Sequence, residues 1–345
     1  MSGRNVSRVA MLIAPRQIEL REEPVPIAPP GGIVVRVRAA LTDGTDLKAY
    51  RRGHPKMPMP TRFGHEFAGD VLACGAGVTA FAPGDAVMCA HSAPCGVCFW
   101  CENEEEELCE SLLATMVFGA YADCVRLPAR IVARNCFAKP DDVSYPEAAF
   151  LEPLSCVVHS MRFLAPKAGA TVAIFGDGGF GILHALVLGQ AGVRALLVGR
   201  RPERLALARD LGIEIVDAAA VSDREALLER THGRGADAAI DCTGSPAVWE
   251  RLPDLVRRGG TVSFFGGLPS GTRVSFEALR LHYDQVRLIA PFHFAPRDVR
   301  RAFELIVAQA LPVTRLLSHE YPLADIAEAF ARLDAGEGMK MLIRP

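Results

Sequence analysis

A chain of 345 residues, half of them apolar and 23% charged, is long enough for about two domains with a sizeable core. A formal net charge of -2 provides no long-range field for nucleic acid or an anionic membrane, so small-molecule chemistry is expected. No apolar run reaches bilayer-spanning length, and the run 9–14 is too short for a secretory core; the expected setting is soluble and cytoplasmic.

From residue 5 to 140 the chain is strand-rich, with β-favouring runs at 8–14, 33–40, 70–75, 85–90 and 122–127 punctuated by Gly and Pro. This half reads as a small barrel or sandwich with loops. Between a loop carrying Asp43 and a strand near Asp70 stands Gly64-His65-Glu66, where adjacent side chains offer a nitrogen and an oxygen to one divalent cation. Such a pair is a weak signal alone. Four of the ten cysteines, Cys95, Cys98, Cys101 and Cys109, fall within a short stretch, while the others are scattered among apolar neighbours as core thiols. Four clustered thiolates close a tetrahedral zinc and leave no open position, which makes a structural site. The run 104–107, all Glu, reads as a solvated loop face.

The character changes at Ser144-Tyr145-Pro146-Glu147, a capping box with Pro in the first turn, predicting a helix to about Leu164. Alternation follows: strands at 171–175, 195–199, 214–216, 238–241 and 261–265, with helices at 179–191, 202–211, 222–232 and 246–256. That order predicts a doubly wound parallel sheet. The tail adds helices at 296–309 and 323–333 and a last strand at 339–343.

Gly176-Asp177-Gly178-Gly179-Phe180-Gly181 directly follows a predicted strand and opens a helix, the context that makes a glycine fingerprint specific for a dinucleotide. Gly176 would make the tight turn, Gly178 would admit the pyrophosphate, and Gly181 would let helix and strand pack, with phosphate at the helix start near Gly179. The next strand ends in Gly199-Arg200-Arg201, with no carboxylate for the adenosine ribose. Gly199 would leave room for a 2′-phosphate that Arg200 and Arg201 neutralise, so NADP is expected, with NAD the alternative.

Over essentially its whole length the chain resembles the zinc-containing medium-chain dehydrogenase/reductase superfamily. The resemblance rests on Gly64-His65-Glu66-x-x-Gly69 with Gly84-Asp85, on the four-cysteine lobe, and on the Gly176 fingerprint placed after Leu151-Glu152-Pro153-Leu154. Asp241-Cys242-Thr243-Gly244-Ser245-Pro246, Phe264-Phe265-Gly266-Gly267-Leu268-Pro269 and Leu281-His282-Tyr283 look most like its polyol branch, the sorbitol or L-iditol 2-dehydrogenases. The resemblance implies an α/β chain in which a GroES-like catalytic domain (1–150, structural zinc lobe about 91–112) precedes a Rossmann domain (151–291), and 292–345 returns to the first. It implies zinc at two sites, Thr243 among the cofactor contacts, a small alcohol or ketone substrate, and a homodimer or homotetramer.

In that branch a Cys of Cys-Gly-Thr/Ser-Asp, the His and Glu of Gly-His-Glu, and a Glu before Pro surround the catalytic zinc. Here the first motif reads Asp43-Gly44-Thr45-Asp46, so the implied set is Asp43, His65, Glu66 and Glu152. Oxygen in place of sulfur should make the metal more exchangeable. The implied chemistry is Lewis-acid activation of a substrate hydroxyl and hydride transfer to nicotinamide, with Thr45 relaying the proton and Glu66 and Glu152 at the reacting centre. Asp46 reads as a plain turn residue, Lys48 stands where a relay His is common, and His293 reads either as a contact to a second substrate hydroxyl or as a hinge residue. Two other readings stand beside this one: a threonine or amino-alcohol dehydrogenase of the same fold, and a catalytically silent dinucleotide-binding protein.

Overall fold

The computed structural model describes residues 6–53 and 57–345. The chain divides into two compact units, one formed by the residues up to Ser155 with Phe294–Pro345, the other by Cys156–His293. The segment 51–61 lies partly outside the described residues.

In the first unit, Ile33–Leu41 is the central strand. Its apolar residues are buried on both faces and only Arg36 and Arg38 reach solvent, which suits a strand covered on both sides. The seven-stranded sheet runs Leu317–Pro322, Lys340–Arg344, Ile33–Leu41, Glu66–Cys74, Ala86–Cys89, Cys136–Ala138, with Cys124–Leu127 also paired to the central strand. A second sheet joins Gln17–Pro24, Val6–Ala14 and Thr61–Arg62. Glu66 thus opens a strand, and its partner there is Leu41, two residues before Asp43. This register brings the two halves of the candidate metal site together.

Phe63, Tyr121, Tyr50 and Phe330 form one aromatic cluster, with ring centroids 4.9 Å apart for Phe63 and Tyr121 and 5.2 Å for Phe63 and Phe330. It anchors the chain just before Gly64 against the C-terminal helix Ile326–Asp334.

The predicted helix from Ser144 to Leu164 is two helices. The capping box is present, Ser144 Oγ accepting from the Glu147 amide and Glu147 Oε2 from the Ser144 amide, but Tyr145–Ala148 stops and Leu151–Leu164 starts afresh. Pro153 is the reason: its ring clashes with the carbonyl four residues back, so it is tolerated only in a first turn. Pro253 acts similarly on the predicted helix 246–256. Pro246–Arg251 ends early, Leu252–Leu255 tightens into a 3-10 turn, and the strand Val256–Phe264 begins.

The second unit holds a six-stranded, wholly parallel sheet in the order Glu214–Asp217, Arg194–Gly199, Thr171–Phe175, Ala236–Asp241, Val256–Phe264, Arg287–Ile289. The order reverses beside Thr171–Phe175, so the glycine loop that follows this strand lies at the topological switch point where such sheets bind ligands. No helix among the described residues is long and apolar enough to cross a membrane.

His184 on the helix Gly179–Gln190 is wholly buried, its Nδ1 2.7 Å from the Phe180 carbonyl, and burial pushes its pKa down to about 4. The unfolded imidazole takes up its proton near pH 6.5 and the folded one only near 4, so stability is full above pH 6.5 and falls as pH drops through this window. Urea titrations should show His184→Leu removing on the order of 3 kcal/mol of this pH dependence. An unchanged slope would place the titration elsewhere.

Candidate active site

Asp43 is not in a loop. It is the N-cap of the helix Gly44–Arg52, its Oδ2 accepting from the Thr45 amide at 2.6 Å. Its Oδ1 is buried and has no hydrogen-bond partner among the described residues. Thr45 is half-buried in the first turn.

Asp46 departs from its reading as a turn residue. It is wholly buried, accepts from Tyr121 Oη at 2.6 Å, and places Oδ1 3.3 Å from His65 Nδ1. Tyr121 reaches it because Gly64, at φ +87°, has no side chain; a Cβ there would lie 2.7 to 2.9 Å from the Tyr121 ring. With Nδ1 turned to Asp46, His65 Nε2 faces Asp43 Oδ2 at 3.8 Å and Glu152 Oε2 at 4.0 Å. Glu152 Oε1 is 3.4 Å from Nδ1 of His91, a residue that no motif spacing marks. Phe118 packs edge-on to His65 and tilted against His91.

Glu66 lies in the same buried group, and Asp43, His65 and Glu66 can each offer an atom within 4.8 Å of the others. Its carboxylate is also engaged elsewhere. Lys340, buried on the C-terminal strand, donates to Glu66 Oε1 at 2.7 Å and to the Thr42 carbonyl at 2.9 Å.

The charges explain one another. Burial would raise the Asp43 carboxyl, but His65, Lys340 and the Thr45 amide hold it below the ordinary value. Burial would lower His65, yet Asp46, Glu152 and Asp43 raise it well above the usual imidazole range. Glu66 is pushed well up by burial against the pull of Lys340, and Glu152 rises to about 7, chiefly through burial, with His65 opposing.

The four cysteine sulfurs likewise converge within 4.8 Å of one another. Backbone amides point at them: Cys95 N lies 3.2 Å from Cys109 Sγ, and Gly96 N 3.3 Å from Cys101 Sγ. The Val97 amide lowers the Cys95 thiol, and the Glu110 and Cys101 amides lower Cys98, whereas burial lifts Cys101 to about 12. Of the neighbouring glutamates Glu107 is buried, so the run is not uniformly a solvated face.

In the second unit Gly176 turns at φ +118°, Gly178 caps the helix that Gly179 opens, and a Cβ at Gly181 would lie 1.8 Å from the Gly176 carbonyl oxygen. Thr243 bonds through its amide and hydroxyl to Asp241, closing the turn after the neighbouring strand. Arg200 is exposed and Arg201 half-buried. Gly199 leaves no open room: a Cβ there would meet Asp177 Cβ and Oδ2 at 2.6 Å. Arg204 lies beside this carboxylate, Nη1 to Oδ1 3.8 Å. His293 is the last residue of this unit and turns the chain at φ +62°.

Comparison with known proteins agrees with both halves. Residues 29–140 match the alcohol dehydrogenase GroES-like domain, and 179–308 match the zinc-binding dehydrogenase family. D-altritol 5-dehydrogenase of Agrobacterium fabrum is 32% identical, over 91% of this chain and 92% of that protein. L-threonine 3-dehydrogenase of a Chelativorans species is 28% identical over 93% of each. A Sinorhizobium meliloti structure described as a zinc-binding dehydrogenase bound to NADP superposes with a TM-score of 0.90 at 28% identity, covering 99% of this chain and 100% of that one. The chain belongs to the zinc-containing medium-chain dehydrogenase/reductase superfamily, in its polyol branch, and is an enzyme of the alcohol dehydrogenase type.

The zinc that this family implies suits the residues present. Asp43 Oδ1 is a buried oxygen lacking a donor among the described residues, and four carboxylates, Asp43, Asp46, Glu66 and Glu152, are buried in the site while the ammonium of Lys340 is paired with Glu66. A divalent cation relieves both.

Removing one partner of the Glu66–Lys340 pair strands a charge in the core. Lys340→Met should lower unfolding free energy by about 3–5 kcal/mol in urea titrations, with much of it recovered in the Glu66→Gln, Lys340→Met double variant. Loss under 1 kcal/mol would mean that Glu66 is already neutral there.

Proposed function

We propose that the chain oxidises a secondary alcohol of a polyol, sugar or cyclitol, and reduces the matching ketone, using NAD(P) with NADP preferred. The observation that carries this reading is that buried His65 Nε2 faces both Asp43 Oδ2, at 3.8 Å, and Glu152 Oε2, at 4.0 Å, beside an Asp43 Oδ1 that lacks a donor among the described residues. Substitution of the branch's Cys by Asp43 has therefore left a metal-binding geometry, which speaks against a silent binding protein.

Asp43, His65 and Glu66 would hold the catalytic zinc, Glu66 on giving up Lys340, with Glu152 a further ligand beside His65. Cys95, Cys98, Cys101 and Cys109 would hold a second, structural zinc. When bound, the zinc supplies Lewis acidity that acidifies a substrate hydroxyl and the nicotinamide supplies the hydride acceptor. Asp46, held by Tyr121, lies beside His65 Nδ1 and orients the ring so that Nε2 faces the reacting side. Thr45 takes the alcohol proton and passes it outward; Lys48 carries an ammonium, so the relay ends in water. Glu152 is the alternative proton acceptor beside His91. On the nucleotide, Gly176, Gly178, Gly179 and Gly181 cradle the pyrophosphate, Thr243 closes the neighbouring turn, and Arg200, Arg201 and Arg204 favour a 2′-phosphate.

We assign 1–150 to the catalytic domain, with the zinc lobe at about 91–112, 151–291 to the nucleotide domain and 292–345 to the return. A cytoplasmic homodimer or homotetramer is the assembly this reading carries. The threonine dehydrogenase relative supports a second reading, in which the substrate is an amino alcohol.

Metal analysis after zinc equilibration and desalting should give about two ions per chain, falling to about one in Asp43→Ala or His65→Ala. Those variants should lose turnover on the order of a thousandfold while NADPH still quenches protein fluorescence. Unchanged turnover would sink the metal mechanism. A panel of polyols, sugars and L-threonine with either nucleotide separates the substrate readings. Replacing Arg200 and Arg201 together by Ala should raise the Michaelis constant for NADP about tenfold more than that for NAD.

A further inference from the structure

A Rossmann fold that uses NAD ordinarily places an Asp or Glu at the end of the second strand, where it accepts from an adenosine ribose hydroxyl. In this chain that strand, Arg194–Gly199, ends without one. The structure nevertheless has a carboxylate there. Asp177, the second residue of the glycine loop, leans across to the neighbouring strand end and fills the volume that a side chain at Gly199 would occupy. Its Oδ2 accepts from the amides of Arg200 at 2.7 Å and Arg201 at 2.9 Å, so it is fixed to the strand end by two hydrogen bonds. The residue is 8% exposed, and its Oδ1 faces Arg204 Nη1 at 3.8 Å.

We propose that Asp177 is the specificity-determining residue of the nucleotide site, supplying from the glycine loop the carboxylate that the strand end lacks and so keeping NAD in use beside NADP. The proposal rests on the dinucleotide reading given above and refines it. A ribose 2′-hydroxyl carries a proton to donate to a carboxylate, whereas a 2′-phosphate at neutral pH brings mainly negative charge and is repelled. The same carboxylate partly neutralises Arg204, which would otherwise add a third cation to the pair at 200 and 201. Opposed charges therefore meet at one place, the Arg204 guanidinium for the phosphate and the Asp177 carboxylate for the hydroxyl, at a strand end that also carries Arg200 and Arg201. Gly199 has a different role from the one its sequence suggests, since its missing side chain admits Asp177.

Binding of NAD, NADP, 5′-AMP and adenosine 2′,5′-bisphosphate to the full chain, measured by calorimetry without substrate, tests this for the unmodified protein, Asp177→Asn and Asp177→Ser. Asn keeps the shape and one oxygen for the amides of residues 200 and 201; Ser keeps an acceptor in a smaller side chain, in case Asn disturbs folding. The expected result is that NAD and 5′-AMP weaken by about tenfold while NADP and the bisphosphate hold or tighten, moving the affinity ratio at least tenfold toward NADP. Equal weakening of all four ligands, or no change in the ratio, would show that Asp177 only caps the loop and would overturn the proposal. If the unmodified protein binds none of the four, the dinucleotide reading itself fails and this one falls with it.

Discussion

The first unit is built around an electrostatic problem, an excess of carboxylates in an apolar interior. Asp43, Asp46, Glu66 and Glu152 are all buried, and charge of one sign in low dielectric is tolerated only with compensation. Each receives its own set: a helix amide for Asp43, a tyrosine hydroxyl and the His65 imidazole for Asp46, an ammonium for Glu66, and the His65 and His91 imidazoles for Glu152. The pairings determine which atoms remain for chemistry. Asp46 lies 3.3 Å from one nitrogen of His65 while the other faces Asp43 and Glu152, and the Thr45 amide occupies one oxygen of Asp43 while the other lacks a donor among the described residues. The site is what remains after the core has satisfied itself.

A similar economy operates in the second unit. Asp241 holds the turn after its strand by accepting from the amides of Thr243 and Gly244 and the indole of Trp249, while Asp177 does the same for the turn after Gly199. Both turns are thus closed by carboxylates accepting backbone amides, while the helix that follows the glycine loop starts at Gly178, which has no side chain to cap it. A helix start without a side-chain cap is what a pyrophosphate requires.

How much of this is legible in the sequence follows from the range of each interaction. The cysteine lobe, the glycine fingerprint and the Ser144 capping box are contiguous motifs whose residues meet within a few positions, and they can be read directly. The strand Gln17–Pro24 is nearly all exposed and polar, so no alternation marks it. The breaks at Pro153 and Pro253 are local in cause but are masked by strongly helical neighbours. Tyr121, His91 and Lys340 join the site across long sequence separations, and Lys340 carries no motif at all. Asp46 is misread for the same reason, because nothing near it in sequence announces Tyr121. The direction in which Asp177 turns is a matter of packing, which spacing does not express.

The Glu66–Lys340 pair spans 274 positions of chain, with the whole second unit encoded in between. On a ribosome the strand carrying Glu66 emerges early, and its cation emerges only after the nucleotide-binding sheet has been made. Until then that strand can pair with Ile33–Leu41, but its buried carboxylate has no ammonium to meet, and loop-closure entropy opposes the final docking of Lys340–Arg344. The order of synthesis therefore makes the active half of the molecule the last to be completed, so the site closes only on a chain that already carries its nucleotide unit.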